Sequence, residues 1–142
     1  MKSKVLSKFA IAFASLLLVG HIIGTVVWDK PDDEKMKTVV NSMKTVSAPF
    51  MGATKSMADY YTGNNILIIG FHLVLIFILW LSFKQINSSQ RTEFTKILYV
   101  LAAIYLIFAI IDFIYFFPLP VIVSLITSIT IYLTLQMNKK EV

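Results

Sequence analysis

Four long apolar runs constrain this 142-residue chain more than any other feature of its sequence. A helix needs roughly 18 or more consecutive apolar residues to cross the hydrocarbon of a bilayer. Phe9 to Trp28, Asn65 to Phe83 and Ile97 to Phe117 meet that length, and a fourth run follows at once from Pro118 to about Met137. The third and fourth runs together are far too long for one crossing, and Pro118 and Pro120 stand at their junction. Proline breaks a helix it falls inside but is tolerated in the first turn of the next. The sequence therefore predicts a tight hairpin there. The expected fold is all-α: a single membrane domain, residues 1–142, built as a bundle of four transmembrane helices. The first run follows Lys2, Lys4 and Lys8, as a signal peptide would. It is long for an h-region, holds His21 and is not followed by an A-x-A-like site, so it is expected to remain as the first helix.

Composition supports this reading. Only 15% of residues are charged, against about 25% in soluble domains, so much of the surface faces something other than water. The net charge is +5, with lysines flanking the apolar runs. That placement fits anionic lipid headgroups. Nucleic acid is not an expected partner, since no basic stripe interleaves with aromatics on a soluble element. The absence of cysteine excludes thiol catalysis, disulfides, Cys-ligated metals and iron–sulfur clusters.

Orientation follows from where Lys and Arg lie. With four spans, Lys2, Lys4, Lys8, Lys84, Arg91, Lys96, Lys139 and Lys140 share one side, and Lys30, Lys35, Lys37, Lys44 and Lys55 the other. The sequence thus predicts a multi-pass protein of a bacterial inner (cytoplasmic) membrane with both termini cytoplasmic. Trp28, Tyr60, Tyr61 and Tyr115 near one interface, and Trp80 and Tyr99 near the other, fit aromatic belts.

The outer segment, residues 29–64, opens with Pro31 and the acidic run Asp32-Asp33-Glu34. Carboxylates there favour a helix start. Met36, Val39, Val40, Met43 and Val46 then recur at helical spacing, and Pro49 is expected to end the helix. This predicts an amphipathic helix between the first two spans, lying on the membrane surface as a connector or across the bundle mouth as a lid. Ser56 to Tyr61 reads either as the first turns of the second span or as a separate piece broken off by Gly63 and Asn64-Asn65.

Three ionisable residues lie inside the spans: His21, His72 and Asp112. A central aspartate costs roughly 2.5–3.5 kcal/mol on insertion scales, so such groups turn toward neighbouring helices and find partners. His21 stands seven residues before Trp28, His72 seven after Asn65, and Asp112 five before Phe117. At 1.5 Å per residue all three fall roughly 8–11 Å below the outer interface. Ala102, Tyr105, Ala109 and Asp112 share a stripe that should face inward. Gly20 and Gly24 form a small-xxx-small pair that permits close helix contact, with His21 and Thr25 beside it. Asn65, Ile69 and His72 share a face. Ser124, Thr127, Ser128 and Thr134 supply hydroxyls that are expected mostly to bond their own backbone.

The trio leaves several readings open. One is structural: an Asp112–His hydrogen bond fixing helix packing. A His–Asp pair could also titrate near neutrality and move protons, or hold the polar head of a lipid-soluble ligand such as a quinone or isoprenoid. A metal site is disfavoured, because the ligands come from three helices with no H-x-x-E-H element. Asp32-Asp33-Glu34 lacks the spacing of a calcium loop. No P-loop, G-x-G-x-x-G after a strand or G-x-S-x-G is present, so the usual enzyme signals are missing. The sequence leaves the cofactor unknown.

The segment from Phe50 through Asp59, Tyr60 and Tyr61 to Gly63, feeding a helix that ends Leu79-Trp80-Leu81-Ser82-Phe83, resembles a pattern in uncharacterised small bacterial four-helix integral membrane proteins. The His21-Ile22-Ile23-Gly24 end of the first helix is similar too. In size and helix count the chain resembles the DoxX-like group, an analogy of architecture. The resemblance implies that Asp59 and Tyr60 belong to the same site as His21. The candidate ligand-binding or proton-handling residues are therefore His21, His72, Asp112, Asp59, Tyr60 and Tyr105. The leading functional reading is a polar pocket in the outer half of the bundle. The runner-up is an accessory subunit docking on a membrane-protein partner or a second copy, and the third a small membrane enzyme acting on a lipid or isoprenoid.

Overall fold

The computed structural model describes residues 2–50, 52–86 and 88–140, the side chains of residues 2, 50, 139 and 140 excepted. Met51 and the side chains of Lys2, Lys139 and Lys140 thus lie outside the described residues. In chain order the elements are α1 (Lys2–Val27), α2 (Glu34–Thr45), β1 (Ser47–Phe50), β2 (Ala53–Ser56), α3 (Met57–Gln85), α4 (Arg91–Tyr115) and α5 (Pro118–Lys140). Among the described residues α1, α3, α4 and α5 are long and apolar enough to cross a membrane. Each is longer at one end or both than its apolar run, because a helix continues into polar sequence until something stops it. The chain divides into two compact units: residues 1–18 with 72–142, and residues 19–71. The helices α1 and α3 each contribute to both units.

In the first unit, one core takes side chains from four helices. Ala10, Ala14 and Leu17 of α1 and Leu75 and Leu79 of α3 join Leu98, Leu101, Ala102 and Tyr105 of α4 and Val123, Ile131 and Leu135 of α5. The α4–α5 pair is the hairpin predicted at Pro118. The helix α4 ends where the Phe116 N–H donates to the Asp112 carbonyl, and Pro118 opens α5. Side chains cross between the two helices along their length. Ser124 donates to Asp112 at 2.9 Å, Ser128 donates to the Ala102 carbonyl at 2.7 Å, and Arg91 donates to the Asn138 carbonyl at 2.8 Å. Small residues at 102, 124 and 128 allow this approach. The other hydroxyls expected to bond backwards do so: Thr127 to Val123 and Thr134 to Thr130.

The second unit is built differently. Asp33 caps α2 by accepting from the Met36 N–H, as the acidic start implies. The amphipathic helix stops at Thr45, just before the last apolar position of its pattern, where the Val46 N–H closes it onto the Ser42 carbonyl. A short antiparallel hairpin comes next, which the sequence pattern did not predict: Ser47 pairs with Ser56 and Phe50 with Ala53. Gly52 takes φ +85° in its turn, a conformation that only glycine adopts without strain. Pro49 fits because a two-stranded ribbon leaves its outer edge unpaired. The helix α3 starts at Met57 and runs straight through Gly63, Asn64 and Asn65. Of the two alternatives for Ser56 to Tyr61, the first therefore holds: the segment opens the second long helix. Gly20 and Gly24, expected to admit a neighbouring helix, have open space within 4 Å of where a Cβ would stand. The small-residue pair is therefore not a packing seam among the described residues.

The crossing hydrogen bond from Ser128 is the testable feature of the α4–α5 pair. Ser128→Ala should lower stability by about 0.6–1.7 kcal/mol, the range for hydrogen bonds between membrane helices, measured by denaturant titration in detergent micelles. No measurable change would show that the bond does not hold the pair.

Candidate functional site

The ionisable residues of the spans are divided between the two units. His72 and Asp112 belong to the first unit, and His21 to the second. His72 is buried at 4% exposure and stacks on Phe108, with ring centroids 5.6 Å apart. Phe108 in turn meets Tyr105 edge to face at 5.8 Å. The three rings tie α3 to α4 one helical turn before Asp112. The Asp112 carboxylate accepts from Ser124 of α5, a residue that the sequence pattern expected to satisfy itself. The stripe Ala102, Tyr105, Ala109 faces inward as expected.

Tyr105 is fully buried, and among the described residues its hydroxyl has no hydrogen-bond partner. It is a core side chain held by ring contacts. No three His, Asp or Glu side chains of the described residues come together as metal ligands.

In the second unit, Asp59 and Tyr60 line an open cleft of about 980 Å³. Its wall is made by the end of α1 (Thr25, Trp28, then Asp29), the end of α2 (Lys44), the hairpin (Ser47, Thr54, Lys55, Ser56) and the first turns of α3 to Ile66. His21 is not part of that wall. Thr25, one turn further along α1, is, and its hydroxyl donates to the His21 carbonyl at 2.7 Å.

The cleft has fixed rims. Trp28 and Tyr61 pack ring on ring at 4.8 Å, joining α1 to α3. Lys44 pairs with Asp29 at 3.0 Å, joining α2 to the end of α1. The hydrogen bond from Lys44 holds the Asp29 carboxyl below its ordinary pKa, with the Lys44 and Lys30 charges adding to the effect. A lowered carboxylate pKa supports the folded arrangement above the ordinary value and loses that support as pH falls through the folded one. This rim is therefore loosest in acid.

Asp59 has a local role. It accepts from both the N–H and the hydroxyl of Ser56, and its own N–H donates back to the Ser56 hydroxyl. This is a reciprocal capping box, with Asp in the place usually taken by Glu. It explains why α3 begins at Met57. The Ser-x-x-Asp spacing was the signal available in the sequence. Lys44, Lys55 and Asp29, which no sequence motif singled out, bring the remaining charges to the cleft.

Comparison with known protein families, curated proteins and solved structures finds no match to this chain. Function must therefore be read from the geometry of the two units.

If Asp112 and Tyr105 serve packing, their isosteres should be tolerated. Asp112→Asn keeps an oxygen for Ser124 and Tyr105→Phe removes only an orphan hydroxyl, so each should shift stability by less than about 0.5 kcal/mol or raise it. Asp112→Ala should cost about 1 kcal/mol. Thermal unfolding in detergent checks all three, and a large loss in Tyr105→Phe would reveal a partner for that hydroxyl.

Proposed function

We propose that the chain is a multi-pass protein of a bacterial inner membrane, with both termini cytoplasmic, that binds the polar head of a lipid-soluble ligand in the cleft of the second unit. The single observation behind this reading is the mixed character of that wall. Trp28, Ala58 and Ile66 give it apolar surface, while Thr25, Tyr60 and Thr62 give hydroxyls and Lys55 a cation. Such a lining suits an amphiphile better than a purely polar solute. Its place at the ends of two long apolar helices gives a ligand dissolved in lipid a lateral approach.

The membrane itself is supported by what the helices leave uncovered. Phe113 of the first unit is 78% exposed and Leu67 of the second 74%, and large apolar side chains left uncovered along such helices call for lipid or a partner rather than water. Binding is a better reading than turnover. Both carboxylates of the cleft are engaged, Asp29 by Lys44 and Asp59 by Ser56. Proton handling by Asp112 has less support, because Ser124 holds its carboxylate within the α4–α5 pair.

Gly63 gives a clean test. It lies in the cleft wall, and a Cβ there would meet nothing within 4 Å. Gly63→Leu should fill the cleft while leaving the fold intact, and helix propensity should add roughly 0.5–1 kcal/mol of stability. Wild-type protein purified in mild detergent should carry a stoichiometric lipid-soluble molecule by mass spectrometry, and Gly63→Leu should not. Equal retention by the variant, or a wild-type chain that remains monomeric in buffer without detergent, would overturn the proposal.

A further inference from the structure

A second groove, of about 380 Å³, lies wholly within the first unit, between α1, α3 and the end of α5. Three lysines line it: Lys4 and Lys8 on one face of α1, and Lys84 at the end of α3. No carboxylate is among the described residues of its wall. Lys4 and Lys8 stand one helical turn apart, an arrangement of like charges that is mildly destabilising by itself. Lys84 adds a third positive charge and sits 5.1 Å from the centre of the Trp80 ring. An anion held among the three would relieve this repulsion.

The rest of the groove indicates which anion. Toward the middle of the helices its wall turns apolar, with Ile11 on α1 and Trp80 and Phe83 on α3. Phe77, its ring tilted against Trp80 with centroids 6.0 Å apart, continues that surface along α3 and is exposed. A cationic end and a greasy continuation match a phosphate headgroup joined to an acyl chain. Free phosphate would use only the first part. Basic pockets between spanning helices take anionic lipid headgroups by this combination of charge and depth.

We propose that this groove is a binding site for one anionic phospholipid, its phosphate among Lys4, Lys8 and Lys84 and its chain along Ile11, Trp80 and Phe83. This site is separate from the cleft of the second unit. It shares with the ligand-binding function of that cleft only the premise that the chain spans a membrane.

The test uses the full chain in lipid nanodiscs, where retention in discs of neutral phosphatidylcholine reports membrane insertion by itself. Native mass spectrometry of protein released from mixed discs should then show one phosphatidylglycerol retained in preference to phosphatidylcholine. The triple variant Lys4→Gln, Lys8→Gln, Lys84→Gln should reduce that preference by about tenfold or more. A charge-matched control, Lys35→Gln, Lys37→Gln, Lys96→Gln, at exposed lysines that line neither the groove nor the cleft, should leave it unchanged. Trp80 emission in a Trp28→Phe background should respond to phosphatidylglycerol but not to inorganic phosphate.

Four results would overturn the proposal: retention in discs without lipid preference, an equal loss in the control, an unchanged preference in the triple variant, or a response to phosphate alone. Failure to be retained in neutral discs would instead overturn the membrane premise, and both binding sites with it.

Discussion

The hydroxyl of Ser128 reaches the backbone carbonyl of Ala102, and that contact requires α4 and α5 to approach with almost nothing between them. A leucine at either position would hold the helices apart. Close approach lets Ser124 meet Asp112 and Arg91 meet the Asn138 carbonyl on the same pair, so the pair is fixed at both ends as well as in its middle. Leu98, Leu101, Tyr105, Ile131 and Leu135 then form one surface on which α1 lays Ala10, Ala14 and Leu17, and α3 lays Leu75 and Leu79. Ala10 and Ala14 of α1 are fully buried in this core. The first unit is thus an assembly around a hydrogen-bonded hairpin, and its apolar packing follows from that geometry.

The second unit has no such seam. Its connections are a ring contact between Trp28 and Tyr61, an exposed ion pair between Lys44 and Asp29, a bond from the Met57 N–H to the Val46 carbonyl, and a capping box at Ser56 and Asp59. Each ties one element to the next without filling the space among them. Of the apolar face of α2, Val40 is buried while Met36 and Val39 are exposed. An open cleft is the result of holding several short elements by their ends. The contrast between the two units is one of construction: a core around a closely approaching helix pair in one, and pairwise ties around an open cleft in the other.

Much of the fold was legible because it rests on patterns with a fixed period or a strong stop signal. The four long helices follow from run length, the α4–α5 turn from Pro118, and the start of α2 from Asp32-Asp33-Glu34. The hairpin of residues 47–56 was hidden because Ser47-Ala48-Pro49-Phe50 has no alternation and contains a proline, leaving Gly52 as its one local sign. Gly63 and Asn64-Asn65 looked like breakers, yet each costs only about 1 kcal/mol or less within a helix. A helix whose start is fixed by a capping box can absorb that. The partner of Asp112 was also readable in principle. Asp112 and Ser124 stand six residues on either side of Pro118, and an antiparallel hairpin turning there brings them level. Depth alone had pointed to the two histidines, because depth is shared by every helix of a bundle while adjacency is set by the turn.

This distinction bears on where function lies in a chain so poor in charge. A polar group deep in a helix must find a partner in order to be tolerated, and Asp112 finds one in the neighbouring helix. Charged groups at the helix ends carry no such requirement, since water and headgroups can solvate them. They remain available for a ligand: Lys55 beside the cleft of the second unit, and Lys4, Lys8 and Lys84 beside the groove of the first. In both places cations stand next to aromatic or aliphatic surface, which is the ground on which an amphiphile is proposed for each. Of the ionisable residues within the apolar runs, Asp112 and His72 make contacts from one helix to the next, whereas the two proposed sites are built around lysines at or beyond the helix ends.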